Sequence, residues 1–290
     1  MDIKSMENFL KIAEFGNITR AVEALHMAQP PLSRQLMALE EELGVRLFIR
    51  EKQRIYITEE GRFFKRQCEQ ILALVEKTKE QISEMRNGVS GTLFIGAIET
   101  VGTYMLPQWI ADFKAQYPQV KYNLWSGNSD DVIARLEQGI LDLALIREPF
   151  DREKYHSIPV KKESWVVMLP QKHPLAEMPE TAVPLRDLRT EELIVPTRRS
   201  KEIREWFAEE GLVPNIMCEF APLMNAVVLT EKGLGVAICP DSARYATENR
   251  AIVIKEISSP RRESSVALIW KKGVKLSGVC DKFISYIQAL

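Results

Sequence analysis

The stretch that decides the fold of the N-terminal region is residues 15–50, FGNITRAVEALHMAQPPLSRQLMALEEELGVRLFIR, in a chain of 290 residues. Its pattern predicts a short helix over Ile18–Leu25, a turn over 26–29 and a further helix that ends at Gly44. Pro30 and Pro31 suit the first turn of that helix, because backbone N–H groups there have no helical partner. The leucines at the spacing of a buried helical stripe are Leu32, Leu36, Leu39 and Leu43.

Two short helices joined by a tight turn, behind a first helix that begins near Ile3, are typical of a helix-turn-helix, here about Ile18–Met37. The second helix of such a motif enters the DNA major groove with its N-terminal residues against the base edges. Glutamine can bind adenine, arginine can bind guanine through two hydrogen bonds, and proline offers apolar contact to a thymine methyl group. The residues predicted to contact bases are Gln29, Pro30, Pro31, Ser33 and Arg34.

Residues 45–58 alternate apolar and polar side chains at both ends, which predicts a β-hairpin, or wing. Its basic tip residues, Arg50, Lys52 and Arg54, form a patch suited to DNA phosphates. The acidic residues Glu40, Glu41 and Glu42 are expected at the far end of the third helix, away from the groove.

Charge composition alone does not favour nucleic acid as a partner. The chain has a net charge of −1, and its first 58 residues contain eight Lys and Arg against eight Asp and Glu. Periodicity therefore leaves a second interpretation open, a small helical bundle with a solvated charged face.

Three segments, Phe15–Leu25, Gln29–Leu36 and Leu39–Arg50, followed by Thr58-Glu59-Glu60-Gly61, closely resemble the LysR-type transcriptional regulators. Asn17 and Val22 are mild departures from the residues that the family most often has there. The resemblance covers the whole chain and implies a regulator of promoters whose effector is a small, often anionic metabolite. It also implies double-stranded DNA as a partner, a homodimer or homotetramer, and RNA polymerase as a candidate partner.

One long helix is predicted from Glu59 to Asn87, which contains no proline and a single glycine near its start. Its apolar residues follow a spacing of 4, 3, 4, 3, 4, 3, the seam of a heptad repeat. The alternative is a surface helix on a globular core, but the strict 3.5-residue period favours a coiled coil that joins two copies. A helix break and hinge are expected at residues 87–91. The seam residues are Phe64, Cys68, Ile71, Val75, Thr78, Ile82 and Met85.

Beyond Gly91, β-rich segments alternate with helical ones such as Tyr104–Tyr117, which predicts a largely parallel α/β architecture. A ligand of such a fold lies beyond the carboxyl ends of the strands, near helix N-termini. In the resemblance, this region forms two subdomains like those of periplasmic solute-binding proteins. The chain crosses between them near Val160–Trp165 and returns near Ser264–Val266.

Polar side chains at strand ends and helix starts are the candidates for binding the effector, and arginines there could pair with a carboxylate. The alternatives are ordinary helix caps for the threonines and serines, a solvated position for Arg199, and core packing for Phe220 and Met224. The candidates are Thr100, Thr103, Asn128, Ser129, Arg147, Arg198, Ser200 and Phe220.

The sequence offers no pattern for a metal, a cofactor or catalysis. Its four cysteines and three histidines are scattered, and no nucleophile elbow, phosphate loop or HExxH motif is present. No apolar run could span a bilayer and no secretory signal is recognisable, so a cytoplasmic protein is expected. Two other hypotheses are weaker. The first ninety residues and the absence of a signal peptide argue against a solute-binding or transport protein. The absence of a recognisable set of catalytic residues argues against an α/β enzyme.

The predicted fold class is thus α/β with an all-α, winged N-terminal domain. A winged helix-turn-helix over 1–58 leads into a linker helix and hinge over 59–90. An α/β effector domain like a periplasmic binding protein then covers 91–290, with one subdomain from 91–162 and 266–290 and the other from 163–265.

Overall fold

The computed structural model describes residues 1–51, 54–84 and 91–290, and it divides into two compact units, Met1–Arg86 and Asn87–Leu290. The predicted wing residue Lys52, seam residue Met85 and hinge residues 87–90 lie outside the described residues. For Arg50 and Arg54 only the backbone is described.

The N-terminal unit has the predicted helix-turn-helix, because local signals fix where its helices begin and end. The Asn17 side chain accepts hydrogen bonds from the backbone N–H groups of Thr19 and Arg20. Gly16 and Gly44 take the left-handed backbone that ends a helix. The elements are α1 (Ile3–Phe15), α2 (Ile18–Leu25), α3 (Gln29–Leu43), β1 (Phe48–Glu51), β2 (Arg54–Ile57) and α4 (Glu59–Glu84).

Aromatic rings join the first helix to the wing and to the long helix. The Phe9 ring centroid lies 5.3 Å from that of Phe48 in β1 and 4.9 Å from that of Phe64 in α4. Leu32, Leu36 and Leu39 are buried in the same core, as their spacing predicts. Apolar burial of this kind supplies most of the stability of a small domain.

Glu40 lies near the C-terminal end of α3, as expected, but it is buried, which the sequence did not indicate. Its Oε1 accepts hydrogen bonds from the backbone N–H groups of Leu47 (2.7 Å) and Phe48 (3.1 Å). Its Oε2 lies 3.1 Å from Nη1 of Arg46. The carboxylate therefore fixes the entry into β1 relative to α3.

The start of α4 is packed tightly against the wing. A Cβ at Gly61 would lie 2.2 Å from the carbonyl oxygen of Leu47, so this position accepts no larger residue without a backbone shift. Cys68 is buried and Phe64 is half-buried in the core of the same unit, so the first two seam positions are not free for a second copy. Among the side chains of α4 that the structure describes, four large apolar ones are exposed, namely Phe63, Ile71, Leu74 and Ile82.

The C-terminal unit alternates strands and helices. Up to Arg147 it contains β3 (Gly91–Ile98), α5 (Glu99–Tyr104), α6 (Leu106–Gln116), β4 (Val120–Gly127), α7 (Ser129–Glu137) and β5 (Leu143–Arg147). From Tyr155 onward it contains β6 (Tyr155–Pro170), α8 (Pro174–Glu177), β7 (Ala182–Pro184), β8 (Leu193–Pro196), α9 (Ser200–Glu209), β9 (Ile216–Phe220), α10 (Leu223–Glu231), β10 (Val236–Pro240), β11 (Ile252–Ser258), β12 (Glu263–Lys271) and α11 (Gly278–Gln288).

The predicted helix over Tyr104–Tyr117 corresponds to α6 (Leu106–Gln116), and a separate helix that the sequence did not indicate, α5, precedes it and ends at Tyr104. Pro107 lies in the first turn of α6, where its missing N–H costs nothing but where it cannot continue a preceding helix. Since α5 begins at Glu99, Thr103 lies in its last turn rather than in a loop before a helix.

The sheet is mixed, so the expectation of a largely parallel architecture is only partly correct. Strands β3, β4 and β5 pair in parallel, as do β8, β9 and β10, but β6 and β12 run antiparallel to each other. The long strand β6 pairs with β12 up to Ser164 and with β10 and β11 from Trp165 onward. The unit thus has two halves: the first contains β3, β4, β5, β12 and the first part of β6, and the second contains the rest of β6 and β7 to β11. The chain crosses from the first half to the second along β6 and returns into β12. Because it crosses once in each direction, β6 and β12 are antiparallel.

Each half has its own apolar core. Phe113, Phe283 and Leu143 belong to the core of the first half, between the sheet and helices α6 and α11. Trp165, Trp206 and Phe207 belong to that of the second half. Two separate cores joined by two strands leave a space between the halves, at the strand ends.

Candidate nucleic-acid interface and ligand cavity

The N-terminal end of α3 contains the predicted base-contacting residues. Gln29, Pro30 and Arg34 are exposed, whereas Pro31 and Ser33 are half-buried. Nε of Arg34 lies 3.4 Å from the carbonyl oxygen of Pro30, its nearest partner among the described hydrogen bonds. The described contact of this guanidinium is thus with a backbone carbonyl and not with a carboxylate. Its positive charge therefore remains available to a ligand.

Helix α3 is held against α1 by a partly buried polar contact that the sequence patterns did not indicate. Asn8, buried in α1, donates from Nδ2 to Oε1 of Gln35 at 2.6 Å. Met37, one turn beyond Ser33 on α3, is 53% exposed and extends the exposed face by an apolar side chain. An asparagine within the apolar stripe of α1 is a sequence signal that could have indicated the contact between Asn8 and Gln35.

The hairpin of β1 and β2 forms the wing, with Glu51 opposite Arg54 at its end. The backbone N–H of Ile55 donates to the carbonyl oxygen of Gly16 at 3.3 Å, so the wing is attached to the turn between α1 and α2. The backbone of Arg50 therefore lies in β1 and that of Arg54 in β2 of the wing.

The second site is a cavity of about 620 Å³ in the C-terminal unit, between its two halves. It lies at the carboxyl ends of β3, β4, β5, β8, β9 and β10, where an α/β fold presents backbone N–H groups to a ligand. Its apolar wall includes Ile98, Ile133, Trp165, Phe220 and Leu223.

Six of the eight predicted effector-binding residues line this cavity: Thr100, Asn128, Ser129, Arg147, Arg198 and Phe220. Arg199 lines it as well. Thr103 and Ser200 do not belong to its lining, and neither does Met224. Thr103 is exposed on α5, and Ser200 is buried with its Oγ 2.5 Å from Oε1 of Glu219. Asn128 caps α7, since its Oδ1 accepts from the N–H groups of Asp130 and Asp131.

Each arginine at the cavity wall has an acidic partner. Nη1 of Arg147 lies 2.5 Å from Oε2 of Glu163 and 2.8 Å from Oγ of Ser264. Nη2 of Arg198 lies 2.5 Å from Oδ1 of Asp130. Arg199 pairs with Glu202 at 2.7 Å and donates to the carbonyl oxygen of Glu148.

Sequence reasoning missed the acidic residues at this site. Glu163 is fully buried at the point where β6 leaves the first half, and Ser242 of the second half donates to it at 3.3 Å. Glu99 lines the cavity and accepts a hydrogen bond from the N–H of Leu223, at the start of α10, at 3.1 Å. No local pattern reveals such pairs, because their members are far apart along the chain.

Cys239 also lines the cavity, and it is fully buried. Loss of solvent raises the pKa of its thiol far above the ordinary value, with Asp241 adding to the rise. The thiol therefore stays protonated and acts as a small apolar group.

In the described part of the chain, no three His, Cys, Asp or Glu side chains form a group that could hold a metal ion. Within residues 1–51, 54–84 and 91–290, no helix is both long and apolar enough to cross a membrane.

Comparisons with known proteins match both units of the chain. Residues 3–62 match the model of the bacterial regulatory helix-turn-helix proteins of the lysR family, and residues 86–290 match the LysR substrate binding domain. The DNA-binding transcriptional dual regulator OxyR of Escherichia coli (strain K12) is 31% identical over 294 residues, which cover 100% of this chain and 95% of OxyR. An uncharacterized HTH-type transcriptional regulator of Bacillus subtilis (strain 168), YybE, is 28% identical over 99% of this chain and 98% of its own.

Solved structures share the fold over the full length. The crystal structure of CbnR, a LysR family transcriptional regulator, superposes with a TM-score of 0.83 at 23% identity, covering 100% of this chain and 99% of CbnR. Full-length CbnR in complex with its target DNA gives a TM-score of 0.81 at 24% identity, with the same coverage. With a winged helix-turn-helix, a ligand cavity and both family models matched, the chain belongs to the LysR family of DNA-binding transcriptional regulators, a family of regulators and not of enzymes.

Proposed function

We propose that this regulator binds promoter DNA as a dimer through α3 and the wing, and that a small effector in the cavity modulates promoter binding or activation. The observation that carries the proposal is the combination of an exposed α3 face, with an uncompensated arginine, and a 620 Å³ cavity between two connected halves. The effector carries an anionic group, since three arginines stand at the cavity wall.

DNA recognition divides between the two parts of the N-terminal unit. Gln29 and Arg34 are the direct base readers, with Pro30, Pro31 and Ser33 packed against the base edges. Arg50, Lys52 and Arg54 on the wing contact phosphates and set the register. The protein–DNA complex of CbnR, which shares this fold, supports this assignment of partner.

Two copies associate through the exposed apolar row of α4. Ile71, Leu74 and Ile82 lie three, eight and eleven residues apart along one helix and are 39–63% exposed, which favours a helix from a second copy as their cover. A coiled coil of this kind sets two α3 helices on successive half-sites of a pseudo-palindrome. Pairing of dimers into a homotetramer and contact with RNA polymerase complete the proposed assembly.

The proposed organisation keeps the bounds of the sequence analysis, with 1–58 for DNA binding, 59–90 for the linker and 91–290 for the effector domain. The last divides into subdomains of 91–162 plus 266–290 and of 163–265. A regulator of this kind acts where the chromosome is, so a cytoplasmic location is proposed.

The test is selection of DNA by the full-length protein from random duplexes, followed by footprinting. We expect an enriched duplex with two related half-sites about one helical turn, or a multiple of it, apart, bound with an affinity that falls steeply with salt. Recovery of unrelated sequences only, with no protected half-sites, would contradict the proposal. Light scattering of the free protein gives the oligomeric state independently.

A further inference from the structure

The charges at the cavity wall already balance one another. The three arginines at the wall face two lining carboxylates, Glu99 and Asp130, and two further carboxylates that pair with them, Glu163 and Glu202. With Lys161, whose Nζ lies 3.4 Å from Oε1 of Glu163, four positive groups thus meet four negative ones. A ligand that carries only negative charge gains little from such a wall, because each arginine it approaches lies beside a carboxylate.

The arginines differ in how far a ligand can reach them. Arg147 is 8% exposed, and its Nη1 donates to Glu163 and Ser264. Arg199 donates to Glu202 and to the backbone carbonyl of Glu148. Arg198 is 43% exposed and its partner Asp130 is 74% exposed. The most exposed of the three arginines is therefore part of an ion pair, with a positive and a negative member side by side.

This pair also spans the space between the two halves. Asp130 lies in the first turn of α7 in the first half, and Arg198 lies in the short helical turn after β8 in the second half. Glu99 lines the same wall and adds a second carboxylate there. A ligand that inserts between the halves meets both signs of charge at once.

We propose that the cavity takes a zwitterionic ligand, an α-amino acid or a close relative, whose carboxylate binds Arg198 and whose ammonium group binds Asp130, with Glu99 as second acceptor. This rests on the proposed function, which makes the cavity the effector site. The ligand replaces one internal ion pair by two complementary contacts, so no charge at the wall is left without a partner. The apolar residues Ile98, Ile133 and Phe220 hold its side chain.

The selectivity follows from the same geometry. A carboxylate without the ammonium group would bring two like charges together at Asp130, and an amine without the carboxylate would do the same at Arg198. Asp130 is thus a specificity-determining residue, and its neutral replacement should favour simple carboxylates.

The experiment measures the melting temperature of the full-length protein by tryptophan fluorescence in panels of matched compounds. The probes are the standard L-amino acids, their deaminated carboxylates and their decarboxylated amines, at equal concentrations and ionic strength. The variants are Asp130→Asn and, as a matched control outside the cavity, Asp187→Asn. All five tryptophans lie between residues 109 and 270, so the signal reports the C-terminal unit.

We expect at least one amino acid to raise the melting temperature of the wild-type protein and of Asp187→Asn, with half-saturation at least tenfold below that of its carboxylate and amine. In Asp130→Asn that preference should be lost, and the carboxylate should bind as well as the amino acid. A carboxylate that matches its amino acid on the wild-type protein overturns the zwitterion and leaves the proposed function standing. A shift unchanged by Asp130→Asn, or no shift from any amino acid, also overturns it, while the DNA selection judges the proposed function separately.

Discussion

The exposed face of α3 and the cavity wall use arginine in opposite ways. Arg34 has a backbone carbonyl as its described partner and no carboxylate, whereas Arg147, Arg198 and Arg199 each pair with an acidic side chain. A polyanion such as DNA is attracted by uncompensated positive charge along its backbone. A cavity with paired charges instead penalises a ligand whose charges do not match. The exposed face of α3 is therefore suited to bind a charged polymer, whereas the cavity is suited to select one small molecule among several.

The largest effect on stability is expected when the buried ion pair between Arg147 and Glu163 is broken. Glu163→Leu leaves the guanidinium of Arg147 buried without its carboxylate and also removes the acceptor for Ser242. The free energy of unfolding of the C-terminal unit should fall by about 4 kcal/mol, the usual loss when one member of a buried pair is removed. Urea unfolding followed by tryptophan fluorescence measures it.

The control for this variant removes both charges. Arg147→Met combined with Glu163→Leu removes both buried charges of the pair and leaves only the partly exposed Lys161 without its carboxylate, so most of the lost stability should return. If the double variant is as unstable as Glu163→Leu, the loss comes from packing rather than from the unpaired arginine, and Arg147 does not depend on its carboxylate.

How much of each region could be predicted from the sequence follows from how local its determinants are. The bounds Ile18–Leu25 of α2 were predicted to the residue, because Asn17 and the turn at residue 26 are signals next to the helix they delimit. At the cavity, six of eight predicted residues line the wall, since strand ends and helix starts are also local features. The LysR resemblance added the order of the domains, which periodicity alone left open.

The determinants that escaped prediction are distant along the chain. Glu163 lies 16 residues from Arg147 and 79 from Ser242, and only the double crossing of β6 and β12 brings them together. The first part of β6, from Tyr155 to Glu163, was not predicted as a strand at all. This segment contains two lysines and is partly exposed, so it lacks the clear alternation of apolar and polar residues by which a strand is recognised in a sequence. Its strand conformation is stabilised by pairing with β12.

An acid of the N-terminal unit offers a second test of the comparison, because Glu40 accepts hydrogen bonds from the backbone in addition to its ion pair with Arg46. Glu40→Ala leaves the N–H groups of Leu47 and Phe48 without their acceptor in a buried position. The N-terminal unit should lose about 3 kcal/mol of unfolding free energy. The neighbouring Glu41 is exposed, so Glu41→Ala is the matched control and should change little.

Circular dichroism at 222 nm measures this loss, and the tryptophan signal of the C-terminal unit acts as an internal reference that should stay in place. Equal stability of the Glu40→Ala and Glu41→Ala proteins would show that the wing entry does not depend on this carboxylate. A shift of both signals together would show that the two units unfold as one.

The smallest expected effect, and the most informative about the α3 face, belongs to Arg34→Ala. If the uncompensated guanidinium binds a base, the variant should lose roughly 1–3 kcal/mol of binding free energy on the selected duplex and relax the preference at one base position. Because a base contact does not displace phosphate counterions, the salt dependence should stay close to that of the wild-type protein. Arg186→Ala, an exposed arginine of the C-terminal unit, is the control and should bind DNA as the wild-type protein does. A uniform loss over all sequences with a flatter salt dependence would instead assign Arg34 to a phosphate, and the cation of the α3 face would then supply affinity without sequence preference.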